Sequence, residues 1–190
     1  MFLDIIKKRR SNFDLNNDIS ISEQKLIEDL KTILKESPTS FHGQSTKIIV
    51  LLNDKSIHFW NQVKNLIPDK INNKKFSGFL KAKGTILFFI DKNILQNISQ
   101  KTSIVYEQIY QFAIQDSAFL QANIWNYFIE KNIGANLQHY NFPEIDQMII
   151  SKYKISSNWS YIAQMPFGGI EIPAKSIEKN DVNTRIKVIK

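Results

Sequence analysis

The sequence predicts an α+β fold, and three observations carry that prediction. Long segments keep one apolar face at helical spacing, while only three short, β-branched apolar runs read as confident strands. The two kinds of segment do not alternate regularly, as a parallel doubly wound sheet would require. Neither GxGxxG nor GxxxxGK[ST] occurs, so a bound nucleotide would have to be held by side chains and scattered backbone amides.

The elements follow in order. Phe2, Leu3, Ile5 and Ile6 predict a short first helix, with Arg9, Arg10 and Ser11 at its exit. Ser20 and Glu23 have the spacing of a capping box. After them Leu26, Ile27, Leu30, Ile33 and Leu34 keep a helical apolar face until Pro38 disfavours helix at Ser37. Lys47 to Leu52 (KIIVLL) reads as a buried strand. Ile57, Trp60, Val63, Lys64 and Ile67 predict a helix closed by Pro68, and the basic stretch Asp69 to Lys83 a surface loop or mobile helix. Gly84 to Ile90 (GTILFFI) is the second strand, and Ile94 to Gln115 is compatible with helix. Ala118, Ala122, Trp125, Phe128 and Ile129 mark a strong helix, ended by Asn132 and Gly134 in left-handed geometry. Ala135 to Tyr140 reads as a turn or short helix, Pro143 to Ser151 as helix, and Tyr161 to Met165 as a strand ending at Pro166. The tail, Arg185 to Ile189 (RIKVI), alternates basic and apolar residues, as an exposed or partner-paired strand does.

Composition narrows the function classes. The 190 residues fit one domain, or one domain with an arm, and 43% hydrophobic with 23% charged residues is ordinary for a globular protein. No apolar run is long enough to span a membrane, and Met1 to Arg10 lacks the apolar core of a signal peptide. With no cysteine there is neither a disulfide framework nor a thiolate nucleophile, and a cytoplasmic address is expected. His42, His58 and His139 have no zinc-ligand spacing, so no metal is expected. A GxSxG elbow and glycosidase-like paired carboxylates are missing too. The net charge of +7 fits an anionic ligand, but a Lys-, Asn- and Ile-rich coding bias accounts for it equally.

Three constellations remain. Arg9-Arg10-Ser11 combines two guanidinium forks with a hydroxyl where a helix ends, which suits phosphate; a solvated basic helix end has the same composition. Ser37-Pro38-Thr39-Ser40-Phe41-His42-Gly43-Gln44 is dense in hydrogen-bonding groups and runs into a strand. It could read the polar edge of a planar heterocycle or serve as an ordinary connection. Ile133 to Asn141 (IGANLQHYN) places small residues, which allow close approach of a flat ligand, beside Gln138, His139 and Asn141. A lone histidine such as His139 is more often structural.

Together and in this order, these segments resemble the nitroreductase family, and within it the fatty-acid-repression-like branch. The motifs are the early Arg-Arg-Ser, Ser-Pro-Thr-Ser-Phe-x-x-Gln (Ser37 to Gln44), Ala-Asn-Leu-Gln-His-Tyr-Asn (Ala135 to Asn141) and Ala-Gln-Met-Pro-Phe-Gly (Ala163 to Gly168); the likeness runs from about Phe2 to Lys187. The resemblance implies one FMN-binding domain over residues 1–190, with a mainly antiparallel central sheet flanked by helices. It further implies a homodimer with two FMN sites at the subunit interface and a C-terminal arm, about 175–190, crossing to the partner.

By position, Arg9 and Ser11 resemble the family's phosphate and ribityl ligands, with Arg10 sharing that role. Lys175 or Arg185, with Arg185 the better match, resembles the later cation of the phosphate site. Ser40 lies in the implied cofactor loop. His42 stands where many members have an asparagine beside the flavin, and Gln44 matches a retained glutamine. Leu137, Gln138 and His139 align with the segment whose backbone lies against the ring near N5, although the larger branch's Pro-x-Glu-Gly pattern is missing there. Phe41, Trp125 and Phe167 are candidates for the acceptor pocket; all three fit a hydrophobic core as well. The implied chemistry is ping-pong hydride transfer through flavin N5, from NADH or NADPH to a nitroaromatic or quinone acceptor, with no catalytic side chain. Two rivals stay open: a flavin-binding redox regulator without efficient turnover, and a basic nucleic-acid-binding module, for which no recognisable motif exists.

Overall fold

The run GTILFFI is apolar at nearly every position, and it forms the centre of the sheet. In the computed structural model, which describes residues 1–190, strand β3 (Gly84–Asp91) is buried from Gly84 through Ile90. A strand covered on both faces has no reason to alternate polar and apolar residues. To one side it pairs antiparallel with β2 (Thr46–Leu52), Ile49 opposite Leu87. On the other it pairs antiparallel with β5 (Trp159–Ile170), Ile86 opposite Met165. The far side of β5 receives two short strands, β1 (Leu15–Asn16) and β4 (Gly134–Ala135). All named pairs are antiparallel, and seven helices surround the sheet: the α+β class is as expected.

Each sheet face has its own core. Ile86, Phe88, Ala163, Met165 and Phe167 face α2 (Glu23–Glu36) and α6 (Tyr106–Glu130), which contribute Leu26, Leu30, Leu120, Ile124 and Phe128. On the opposite face, Leu87, Phe89 and Tyr161 meet α3 (Asp54–Leu66), α4 (Asn73–Lys81) and α7 (Pro143–Tyr153). Trp60 centres that layer among Phe59, Phe76 and Phe79, and its indole N–H donates to Thr85 Oγ1 at 2.8 Å, so the buried polar group is satisfied. Helices α1 (Phe2–Lys8) and α5 (Lys92–Thr102) complete the set; α1 has no buried residue.

Several expectations are corrected. The cap of α2 is Ser22, whose Oγ accepts from Lys25 N–H; Ser20 instead donates to the Lys131 carbonyl, a tertiary contact 111 residues away. Asp69 to Lys83 is no mobile surface segment, because α4 buries Phe76 and Phe79. Strand β2 is an edge strand, mostly half-buried. Asn132 does adopt a left-handed φ of 55°, but Gly134 does not. Gly134 is required for space, since a Cβ there would meet Ile170 Cγ1 at 2.7 Å and Leu15 Cδ2 at 2.9 Å. Ala135 to Tyr140 is extended, not helical, and bridges β5 through Gln138 and Gln164. Strand β5 runs through Pro166, opposite Thr85; the proline carbonyl still accepts from Asn136 N–H. Arg185 to Ile189 forms no strand in the single chain, and every residue from Lys175 to Lys190 is exposed.

Candidate cofactor site

Two groups of the expected residues assemble, both along α6. The first begins where α1 ends. Arg9 leaves the helix with extended backbone and lays its guanidinium over the Trp125 ring, 4.5 Å from the centroid. A cation over an indole face is worth about 0.5–2 kcal/mol, so Arg9 is held in place without an anion. The chain then runs beside β4: Ser11 bridges Ala135, Asn12 N–H donates to the Ala135 carbonyl, and Asn136 Nδ2 donates to the Asn12 carbonyl at 2.7 Å. The network continues inward, with Gln138 Nε2 donating to Asn136 Oδ1 and Gln164 Oε1 accepting from Tyr140 N–H.

That pairing leaves an open edge. Between residues 136 and 140 the alternate N–H groups of Asn136, Gln138 and Tyr140 point into β5, as a strand's period of two dictates. The N–H groups of Leu137 and His139 make no hydrogen bond within the chain. They form a row of donors beside the Arg9–Asn12 segment. His139 is exposed and its ring stays outside the polar network; Gln138 is 9% exposed and acts structurally through Asn136.

The second group is the loop before β2. Asp116, on α6 and 5% exposed, accepts from Ser40 N–H at 2.9 Å and from Ser40 Oγ–H at 2.8 Å. Thr39 Oγ1 accepts from Gln44 N–H, and the Gln44 and His42 side chains lie 2.7 Å apart. Phe41, His42 and Gln44 have φ values of 53°, 52° and 51°. Three non-glycine residues in left-handed conformation within four positions store strain, about 1–3 kcal/mol each, of the kind concentrated at ligand sites. Phe41 is 52% exposed, its ring 6.1 Å from Phe112.

Other expected residues separate. Arg10 diverges from Arg9 and lines a cleft of about 230 Å³ with Lys8, Asn12 and Asn132. Ala174 N–H donates to Asn12 Oδ1, which brings Lys175 next to this cleft, whereas Arg185 stands in the exposed tail. Phe167 leaves the pocket list. It is fully buried, stacked on Phe128 at 4.8 Å, because alternation along β5 sends it into the α6-side core. Trp125 belongs with Arg9, at the cationic end of the site. None of the chain's ion pairs engages Arg9, Arg10, Lys175 or Arg185.

Asn12, Asp116 and Asn136 are residues that sequence reasoning missed. Asp116 carried one available signal: an acidic residue on an otherwise apolar helical stripe demands a partner. The two asparagines gave none, since their roles depend on pairing across more than a hundred residues.

No protein-family model matches the sequence. Relatives match along its length. The nitroreductase CinD of Lactococcus lactis, solved in complex with nicotinic acid, is 30% identical, with a TM-score of 0.92 and 100% of both chains covered. The chain belongs to the nitroreductase family. It is therefore an oxidoreductase. HBN1 of Saccharomyces cerevisiae, which carries the name of a nitroreductase, is 28% identical over 172 residues, 89% of this chain and 86% of that protein. A nitroreductase-type protein of Exiguobacterium sibiricum, solved in complex with FMN, has the same fold at 10% identity and a TM-score of 0.78. No helix of this nitroreductase is long and apolar enough to cross a membrane.

Proposed function

We propose that this nitroreductase binds FMN and uses NADH or NADPH to reduce nitroaromatic or quinone-type acceptors. The observation that carries the reading is Arg9: a guanidinium fixed over Trp125, free of any acidic partner, at the end of a strand whose Leu137 and His139 N–H groups are unpaired. Fixed cations suit a phosphate, and backbone donors suit the polar edge of a ring. The buried Trp125 Nε1, which has no partner, is one more donor at that end. These residues fit a flavin mononucleotide, and a family fold that holds FMN in another protein supports the choice. Bound FMN supplies the chemistry of accepting a hydride and passing it on. The chain's part is to anchor the phosphate with Arg9, Ser11 and a later cation, and to present backbone donors at residues 137–139. The loop carrying Ser40, Phe41, His42 and Gln44 excludes water and lines the acceptor side.

A homodimer completes the site. Asp116 and Trp125 are nine residues apart on α6, so the loop group and the arginine group lie about 14 Å apart along its axis. A two-fold partner lays one protomer's loop against the other's Arg9 group. Exposed Phe2, Leu3, Phe119, Ile186 and Val188 supply apolar surface for that contact. The free edge of β2 offers the crossing tail a strand to pair with.

The test is the visible absorption spectrum of the purified protein, before and after anaerobic NADH or NADPH. Flavin bands that bleach with reductant, and return with a nitroarene or quinone, are the expected result. A colourless protein that takes up no added FMN overturns the assignment.

A further inference from the structure

Asp116 is a nearly buried carboxylate on α6, and although Lys31, Lys35 and Lys47 line the same cleft of about 300 Å³, none of them pairs with it. It forms none of the chain's ion pairs, and the donors on its two oxygens are the N–H and the hydroxyl of a single residue, Ser40. A buried charge satisfied only by hydrogen bonds is costly for folding, and an apolar residue would serve α6 better. What the carboxylate provides is two strong acceptors at once for one point of a strained loop. That point immediately precedes the left-handed residues Phe41 and His42, with Gln44 two further on.

Resting on the flavin reading above, we propose that Asp116 is the positioning residue of the cofactor loop. It acts through Ser40, fixing the loop in the left-handed path that turns Phe41, His42 and Gln44 toward the ligand. A chemical consequence follows for Ser40. Its hydroxyl proton is committed inward to Asp116 Oδ1, so toward a cofactor Ser40 can only accept. Outward donors from this loop must come from its other residues.

The experiment titrates apoprotein with FMN, read by quenching of flavin fluorescence, for wild type, Asp116→Ala, Ser40→Ala and the double variant. Asp116→Ala should weaken FMN binding at least tenfold and Ser40→Ala less, because the residue 40 N–H still donates to Asp116 Oδ2. The double variant should be no weaker than Asp116→Ala, since that change already removes the whole linkage. Asp116→Asn should stay within about threefold of wild type. Its amide oxygen can take the Ser40 N–H, and its amide nitrogen can donate to a reversed hydroxyl. Amide deuterium exchange of residues 40–44 should accelerate in Asp116→Ala and not in Asp116→Asn. Should Asp116→Ala not fold, Ser40→Ala and the Ser40→Ala/Asp116→Asn pair carry the same comparison. Additive losses, or unchanged affinity in Ser40→Ala, overturn the proposal. If Arg9→Ala loses FMN while Ser40→Ala and Asp116→Ala retain it, the flavin reading stands and this one falls. A wild-type protein that takes up no FMN overturns both.

Discussion

The guanidinium of Arg9 rests over the face of Trp125, 4.5 Å from the ring centroid, and no carboxylate competes for it. A helix exit and the last turns of a helix more than a hundred residues later thus build one cationic corner. Pre-placing a long, flexible side chain lowers the ordering cost of capturing an anion.

Arg9→Ala should therefore weaken FMN binding by about 10- to 100-fold, the equivalent of losing one charge-assisted contact of roughly 1.5–3 kcal/mol. Trp125→Leu should weaken it less, since the cation survives but loses its support. Flavin fluorescence titration measures both, and far-UV circular dichroism checks that the fold persists. Unchanged cofactor occupancy in Arg9→Ala removes that residue from the site.

Deleting residues from Arg185 onward should weaken dimerisation and FMN binding together. The tail is exposed throughout in the single chain, so its removal exposes no core. Light scattering alongside the visible absorption spectrum reads both properties. A shortened protein that stays dimeric and yellow refutes the crossing arm.

Phe167→Ala should destabilise the fold by about 3–5 kcal/mol, as a buried phenylalanine stacked on Phe128 requires. Urea unfolding reads this directly. Little change in the midpoint, with altered acceptor preference, would return Phe167 to the pocket.

Alkaline pH should destabilise the protein through its tyrosines. Burial pushes the Tyr153 phenol up to about 12 and holds Tyr161 well above its ordinary value; burial, with a hydrogen bond to Asp29, raises Tyr127. The unfolded chain loses these protons first, near pH 10. The stabilisation is therefore complete below pH 10 and is lost as pH rises from there toward 12. Melting temperatures measured upward from pH 9 should fall, and Tyr153→Phe should fall less steeply. Equal slopes for the two proteins would contradict the assignment.

Much of this architecture was legible because burial writes itself into pattern. GTILFFI could only be an interior strand, and Leu26, Leu30 and Ile33 could only be a helix face. The errors fell where distant partners decide local form. Ala135 to Tyr140 has no helical periodicity and no alternation strong enough to name a strand, and it is extended because Gln164 offers a ladder partner. Pro166 argued for a strand end, yet β5 absorbs it because the neighbouring hydrogen bonds run through its carbonyl. Within the candidate site, Arg9 and the loop around Ser40 were proposed from residue chemistry. Asp116 was not, because its partner is 76 positions away.

The pairing of Leu15 with Ile170 has a consequence for biogenesis. The segment around Arg9 to Asn12 leaves the ribosome well before β5, to which β1 attaches, because residue 170 has still to be synthesised. Contacts of such long sequence separation close late, after the loop entropy between them has been overcome. Helices α2 to α6 can begin to consolidate around β2 and β3 while the arginine corner still has no sheet to join. The arginine corner is thus assembled late, and on the proposed flavin reading a nascent chain arrested before β5 should bind no FMN however well the rest of it has folded.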